Sequence, residues 1–310
     1  MIKNLKLFTV LFLALAIQSC SNNDDDDYVT QPKTIYEHVA TSSNYSYLTY
    51  ALQKTNLDGV LNGTDNYTLY APNNMAFSRF LMEAGFSNVD EVPKEVLTQI
   101  LLNHVMAGLI QYRDFETGYF QTAANSAATG TPLSIHIEQV NMRVTLNGES
   151  RITQGNVYAT NGVIHTVDRV VPIPSIVTFA IADKGLTNLL IALTRPDLTA
   201  DFASILSTNL GTDPAPFTVF APTDQAFIDL LVELGVQSLN DIDEPTLKST
   251  LTYHVIGGTN AYSTDLSDNL ELNTLGGPIT ANITGGATLT DGNNRVSNIV
   301  AVDIQADNGV

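Results

Sequence analysis

The chain has 310 residues, 44% of them hydrophobic, which is enough to bury two ordinary cores and excludes a disordered polymer. Fourteen Lys and Arg face 32 Asp and Glu, and a net charge of −18 repels phosphate backbones, so no nucleic-acid partner is expected. Trp is absent and aromatics make up 8%, which removes the usual stacking platforms for bases and thins out those for sugar rings.

The first stretch, MIKNLKLFTVLFLALAIQSC, places Lys3 and Lys6 before an apolar run from Phe8 to Ile17 and ends at Cys20. A run of ten residues, nine of them apolar, is too short for a permanent membrane span, so residues 1–19 read as a signal peptide that is removed. AIQSC resembles the lipobox of bacterial lipoproteins, and Cys20, the single cysteine of the chain, is the expected lipidation site. Residues 20–34 follow as an acidic tether, because the four consecutive residues Asp24 to Asp27 repel one another and cannot pack. They lack the alternating spacing and the Gly of a calcium loop, so no metal is expected there. The Asp block resembles the acidic export tag that some Gram-negative bacteria use to send lipoproteins to the cell surface. Loss of the two leader lysines leaves 12 basic residues against 32 acidic ones, a net of −20, so any membrane attachment comes from the lipid anchor and not from charge.

Three stretches then repeat. YTLYAPNNMAF at 67–77 returns as FTVFAPTDQAF at 217–227, LLNHVMAG at 101–108 returns as LTYHVIGG at 251–258, and the Asn-Gly-Val at 161–163 returns at 308–310. Three landmarks in one order at nearly one spacing predict two copies of one domain, over 35–175 and 176–310. In each copy an aromatic and β-branched strand stops at Ala-Pro. A helix then starts, capped by Asn73 or Thr223, with Asp224 complementing the helix dipole. Its apolar stripe is Phe77, Phe80, Leu81 and Ala84, or Phe227, Leu230, Leu231 and Leu234. A second helix is expected from Pro93 to about Met106, burying Val96, Leu97, Ile100, Leu101 and His104. Its counterpart runs from Pro245 to about Ile256, with glycines 108, 257 and 258 as stops. His104 and His254, both on the apolar side, read as hydrogen-bonded core residues. Period-two alternation takes over in LSIHI, MRVTL and NVYATNGVIHTVDRVV, with Asn147-Gly148 as a turn, giving a hairpin-rich antiparallel sheet and an α+β class.

TLYAPNNMAF and TVFAPTDQAF resemble the first signature of fasciclin-type domains, NGVIHTVDRVV resembles the second, and HVMAG and YHVIGG resemble the His segment between them. The likeness spans residues 35–310 and implies two fasciclin-like domains, each a β-wedge sheet with a helical layer, serving extracellular adhesion without catalysis. It also implies that Thr68, Pro72, Asn73, Phe77, His104, Asn161, Gly162, His165 and Asp168, with Thr218, Pro222, Thr223, Asp224 and Phe227, are structural motif residues. In vertebrate members the Tyr-His segment has been tied to receptor binding. Tyr253 and His254 match it, whereas the first copy has Asn103 in place of the Tyr. The second copy stops at Val310, where the first continues through Ile164 and His165, so it is expected to lack its final strand and the chain reads as a truncated or partial gene product.

No nucleophile elbow, phosphate-cradling loop or Cys-His metal spacing occurs, and His165 and Asp168 project to opposite faces of a strand. The expectation is a non-enzymatic protein without cofactors, lipid-anchored in the outer membrane and exposed at the cell surface. Its partners would be an extracellular protein, a matrix component or a polysaccharide. A glycan-binding accessory of a nutrient-uptake system is the alternative, and the aromatic segments NYSYLTY (44–50) and YRDFETGYF (112–120) are candidate contacts for either. Partial burial of Tyr45, Tyr47 and Tyr50 on a helix is the plainer reading of the first segment.

Overall fold

The structure, a computed structural model, describes residues 31–310; the leader, Cys20 and the Asp block lie outside the described residues. The first domain begins with three short helices, α1 (Ile35–Ala40), α2 (Ser46–Thr55) and α3 (Asp58–Leu61), followed by strand β1 (Tyr67–Pro72) and helix α4 (Asn74–Glu83). Helix α5 (Lys94–Asn103) leads directly into strand β2 (Val105–Ala107). Strands β3 (Gly118–Asn125), β4 (Pro132–Val140), β5 (Arg143–Leu146), β6 (Ser150–Ala159) and β7 (Gly162–Val167) complete it.

Seven strands form one sheet in the order β2-β1-β7-β6-β5-β4-β3. Every neighbouring pair is antiparallel except β1 and β7, which run parallel from Tyr67 opposite Gly162 to Pro72 opposite Val167. That pairing carries β1 through Ala71 and Pro72, past the stop expected at Ala-Pro; Pro72 takes the last strand position, beyond residues 67–69 that pair with β2. Both faces of the β1–β7 centre are covered. Leu69 and Ile164 pack with Ile35, Leu52, Phe77 and Leu97 under the helices. Tyr70 and Val167 pack with Ile135, Ile137, Val144 and Leu146 inside the curl of the sheet. Burial on both sides explains why all six residues of β7 are buried, His165 and Thr166 included.

The second helix is shorter than its pattern suggests. It ends at Asn103, and Val105–Ala107 turn away to pair with β1, Leu69 lying opposite Val105. Gly108 (φ +85°) therefore follows a strand instead of ending a helix. Val96 points outward and is 48% exposed, so the buried stripe is Leu97, Ile100 and Leu101. Ala84, the last residue of the other expected stripe, is also exposed.

The second domain repeats the plan with α6 (Ile176–Ala182), α7 (Thr187–Leu193), α8 (Phe202–Leu206), β8 (Phe217–Val219), α9 (Asp224–Leu234), α10 (Glu244–Thr252) and β9 (Val255–Gly257). Then come β10 (Leu270–Thr274), β11 (Gly277–Asn282), β12 (Thr288–Thr290) and β13 (Val296–Asn298). Strands β10 to β13 form an antiparallel meander, while β8 and β9 pair separately. Gly309 sits parallel to Phe217, the position Gly162 takes beside Tyr67. Among the described residues no strand joins β8 to β13. Phe217 and Phe227 anchor this core with Phe202, Leu206, Leu247 and Leu251. No single helix among the described residues is long and apolar enough to cross a membrane.

Candidate functional site

The motif residues face inward and make matching contacts in the two copies. Thr68 Oγ1 donates to Gly108 O (2.9 Å) and accepts from Ile110 N (2.9 Å), holding the chain that leaves β2. Thr218 does the same with Thr259 O and Ala261 N, both at 2.9 Å. Asn73 caps α4 by accepting from Ala76 N (2.9 Å), and Thr223 caps α9 by accepting from Ala226 N (3.3 Å), as their positions predict. Asp224 also accepts from Asn188 N (2.6 Å), so it ties α9 to the start of α7. Phe77 and Phe227 fill the cores beneath these caps, and Pro222 lies in the loop between β8 and α9.

The motif histidines His104, His165 and His254 are held as neutral rings. His104 is fully buried; Nδ1–H donates to Ile100 O (2.7 Å), while Nε2 accepts the Val171 amide (2.8 Å), an arrangement only one uncharged tautomer satisfies. Burial pushes its pKa down to about 4, against the upward pull of the Ile100 carbonyl. His254 repeats the Nδ1 contact with Thr250 O (2.7 Å) and is lowered by the same desolvation. His165 is the other tautomer: Nε2–H donates to Ile110 O (2.9 Å) and Nδ1 accepts from Asn156 N (3.3 Å). Its ring lies 5.2 Å from Phe115 and 6.3 Å from Tyr112. Asp168 stands beyond the end of β7 and accepts the Arg151 amide (2.8 Å), so the structure gives the pair separate tasks.

The aromatic segments are mostly absorbed into the fold. Tyr112 and Phe115 pack around His165, and Tyr45 OH bonds Thr166 Oγ1 (2.6 Å). On α2, Leu48, Ala51 and Leu52 are buried while Tyr47 and Tyr50 stay partly exposed. Tyr253 is half-buried at the end of α10. Its hydroxyl donates to Pro278 O (2.6 Å) and accepts from Gly292 N (3.3 Å), and its ring lies over Gly277.

Sequence patterns gave no sign of the seam between the two domains. Tyr119, on the outer face of β3, donates to Asp183 Oδ2 (2.9 Å) and packs edge-on against Phe179 of α6 (5.4 Å). His136 lies opposite Tyr119 in register, is buried beneath the same helix, and leaves Nδ1 without a hydrogen-bond partner among the described residues. Burial lowers its pKa, opposed by the charges of Asp183 and Glu138 and reinforced by Lys184. Further along, Ser134 N donates to Gln305 O (2.8 Å) and Gln305 N donates to Ser134 Oγ (3.0 Å), while Thr131 Oγ1 bonds Tyr262 OH. Gly148 (φ +72°) comes so close to α6 that a Cβ there would stand 3.1 Å from Ala182 Cα. Among the described residues, no group of three or more His, Cys, Asp and Glu is placed to hold a metal.

A "Fasciclin-like arabinogalactan protein" of Arthroderma benhamiae is 27% identical over 251 residues, covering 77% of this chain and 56% of that protein. "Transforming growth factor-beta-induced protein ig-h3" of Sus scrofa is 26% identical over 230 residues, 73% of this chain and 31% of that protein. The chain thus spans about half or less of these relatives. Among solved structures, a FAS1 domain pair from the insect cell adhesion molecule fasciclin I superposes with a TM-score of 0.48 at 17% identity, covering 85% of this chain and 93% of that one. A family model described as "Fasciclin domain" matches residues 43–174 and again 184–310, most of the chain, and with the motif contacts made twice at matched positions the protein belongs to the fasciclin domain family.

Proposed function

We propose that the protein is a non-catalytic, lipid-anchored binding protein of a Gram-negative cell surface, joining the cell to extracellular protein or matrix partners. Cleavage after residue 19 would free Cys20 for acylation into the outer membrane, and the acidic tether would hold the domain pair away from the lipid. One observation carries the reading: in both copies the polar motif residues are committed to internal backbone partners, which leaves the outer faces for recognition. Fasciclin domains are associated with cell adhesion and matrix-binding proteins, which supports the same role. Tyr253 and His254 are proposed contacts of the second domain, since both rings are partly accessible although the Tyr253 hydroxyl and the His254 Nδ1 are engaged inside.

The test is adhesion of cells carrying the full chain to surfaces coated with matrix proteins, compared with cells lacking it, and fractionation of Cys20→Ser. Retention that depends on the chain, with the variant released from the membrane fraction, is expected. Equal adhesion without the chain overturns the surface role, and a Cys20→Ser protein that stays in the membrane overturns the anchor.

A further inference from the structure

The outer face of the first domain's sheet carries a groove of about 400 Å³ that none of the motif residues line. Its floor follows from register. Glu138 on β4 lies opposite Thr145 on β5, and Thr145 lies opposite Arg151 on β6, so the three side chains stand in one row across three strands. Arg143, two residues before Thr145, shares that face, because Val144 and Leu146 between and after them point into the core. Arg143 and Arg151 are therefore diagonal neighbours, whose Cβ atoms in such a ladder lie roughly 7–8 Å apart. The β4–β5 turn closes one end with Asn141.

Two features bear on what this row can hold. Acidic residues outnumber basic ones 32 to 14, yet among the described residues neither guanidinium has a carboxylate within 4 Å, and Glu138 in the same groove is not paired with them. Two unpaired like charges at diagonal positions on one face leave room between them for an anion that both can reach. Arginine also presents a planar fork that fits a carboxylate through two parallel hydrogen bonds. Glu138, Asn141 and Thr145 add acceptors and donors that a hydroxyl-rich ligand can satisfy.

We propose that this groove binds an acidic polysaccharide, Arg143 and Arg151 taking a uronate carboxylate while Glu138, Asn141 and Thr145 hydrogen-bond the ring hydroxyls. A nucleic acid, with a phosphate at every unit, meets both Glu138 and the field of a chain at −18. An acidic peptide offers the carboxylates but few hydroxyls for Glu138. The ligand class rests on the reading of the protein as an extracellular binding module, and it places the contact on the first domain at residues outside the repeated motifs.

The experiment is calorimetric titration of the full chain with an oligogalacturonate, its carboxyl-reduced neutral counterpart, a sulfated oligosaccharide and poly-glutamate, at about 0.15 M ionic strength. Oligogalacturonate is expected to bind, the neutral counterpart not. Arg143→Gln with Arg151→Gln should weaken binding by at least about tenfold, as loss of charge-assisted contacts does. Arg79→Gln, an exposed arginine on α4, should leave it unchanged. Both groove arginines are exposed, so the double variant should melt with the wild type. Absence of oligogalacturonate binding, equal binding by the double variant, or preference for poly-glutamate or the sulfated sugar overturns the proposal. Adhesion that survives in the double variant while oligogalacturonate binding is lost separates this site from the adhesive one. Sugar binding without any adhesion overturns the adhesive reading alone.

Discussion

Asn161 in the first domain and Asn308 in the second make the same three hydrogen bonds. Asn161 Oδ1 accepts from Ile35 N (2.8 Å) and its Nδ2 donates to Leu61 O and Gly63 O, both at 2.9 Å. Asn308 accepts from Ile176 N (3.0 Å) and donates to Leu206 O (2.8 Å) and Thr208 O (3.0 Å). One amide thus fastens the first helix of each domain and the loop before its first strand to the end of the fold. Asn161→Ala strands an N–H and two carbonyls in a site that is 2% exposed, and we expect a loss of about 2–4 kcal/mol in urea unfolding. A change within about 0.5 kcal/mol, the range of neutral surface substitutions, would contradict this.

The next residue is constrained by space. A Cβ on Gly162 would lie 1.9 Å from Tyr67 O, and on Gly309 2.4 Å from Phe217 O. Both obstacles are backbone, so the strands must part. Gly162→Ala is expected to cost more than about 4 kcal/mol and to reduce the yield of folded protein, read by circular dichroism. Gly309→Ala should be milder.

A basic side chain clips the turn before the second helix in each copy, by different chemistry. Lys54 Nζ donates to Val89 O (3.0 Å), Asp90 O (2.9 Å) and Val92 O (3.2 Å). Arg195 Nη1 reaches Leu239 O and Ile242 O at 2.7 Å and its fork grips Asp197. Its side chain is only 5% exposed against 21% for Lys54. Arg195→Met should therefore cost about 2–4 kcal/mol and Lys54→Met about 1–2 kcal/mol, measured by thermal melts.

Acid should weaken the fold in a defined window. His104 has a folded pKa near 4 against 6.5 for the ordinary histidine, and burial depresses His136, His165 and His254 as well. Between those values the unfolded chain binds more protons than the folded one, so stability is complete above pH 6.5 and declines as pH falls toward 4. For His104 alone the loss is on the order of 3 kcal/mol. Urea midpoints that stay level between those pH values would show that the imidazoles are not held neutral.

The seam should make the domains melt together. A single calorimetric transition is expected for the wild type, separating into two when Tyr119→Ala and Ser134→Ala are combined, since these remove the ring on Phe179 and a bond to Gln305. Two transitions in the wild type would show that the contacts do not couple the domains.

Local signals in the sequence were sufficient where the physics is local. The caps at Asn73 and Thr223, the turn at Asn147-Gly148 (φ +46° and +72°) and the Leu97, Ile100 and Leu101 stripe of α5 follow from short-range pattern. Strand β2 was hidden, because Val105 and Met106 continue an apolar helical stripe and only pairing with β1 pulls them out of it. The parallel partnership of β1 with β7 joins residues about 95 apart, and no local period reports it. The seam was equally illegible: Tyr119 and His136 occupy outward strand positions, which alternation assigns to solvent, and a helix from the other copy covers them. The groove arginines were invisible as a pair until the hairpin brought β5 and β6 side by side.

The joint between the copies has a direction. It sets the sheet face of the leading copy against α6 and the 305–307 segment of the following one, surfaces that are not each other's equivalents. A contact between unlike faces is heterologous, and it differs from a twofold handshake in that it fixes which module goes first. Exchanging the order of the copies along the chain would set residues 270–282 against Ile35–Ala40, neither of which carries the Tyr119, Ser134 and Asp183 partners, so the order of the two domains is built into the molecule.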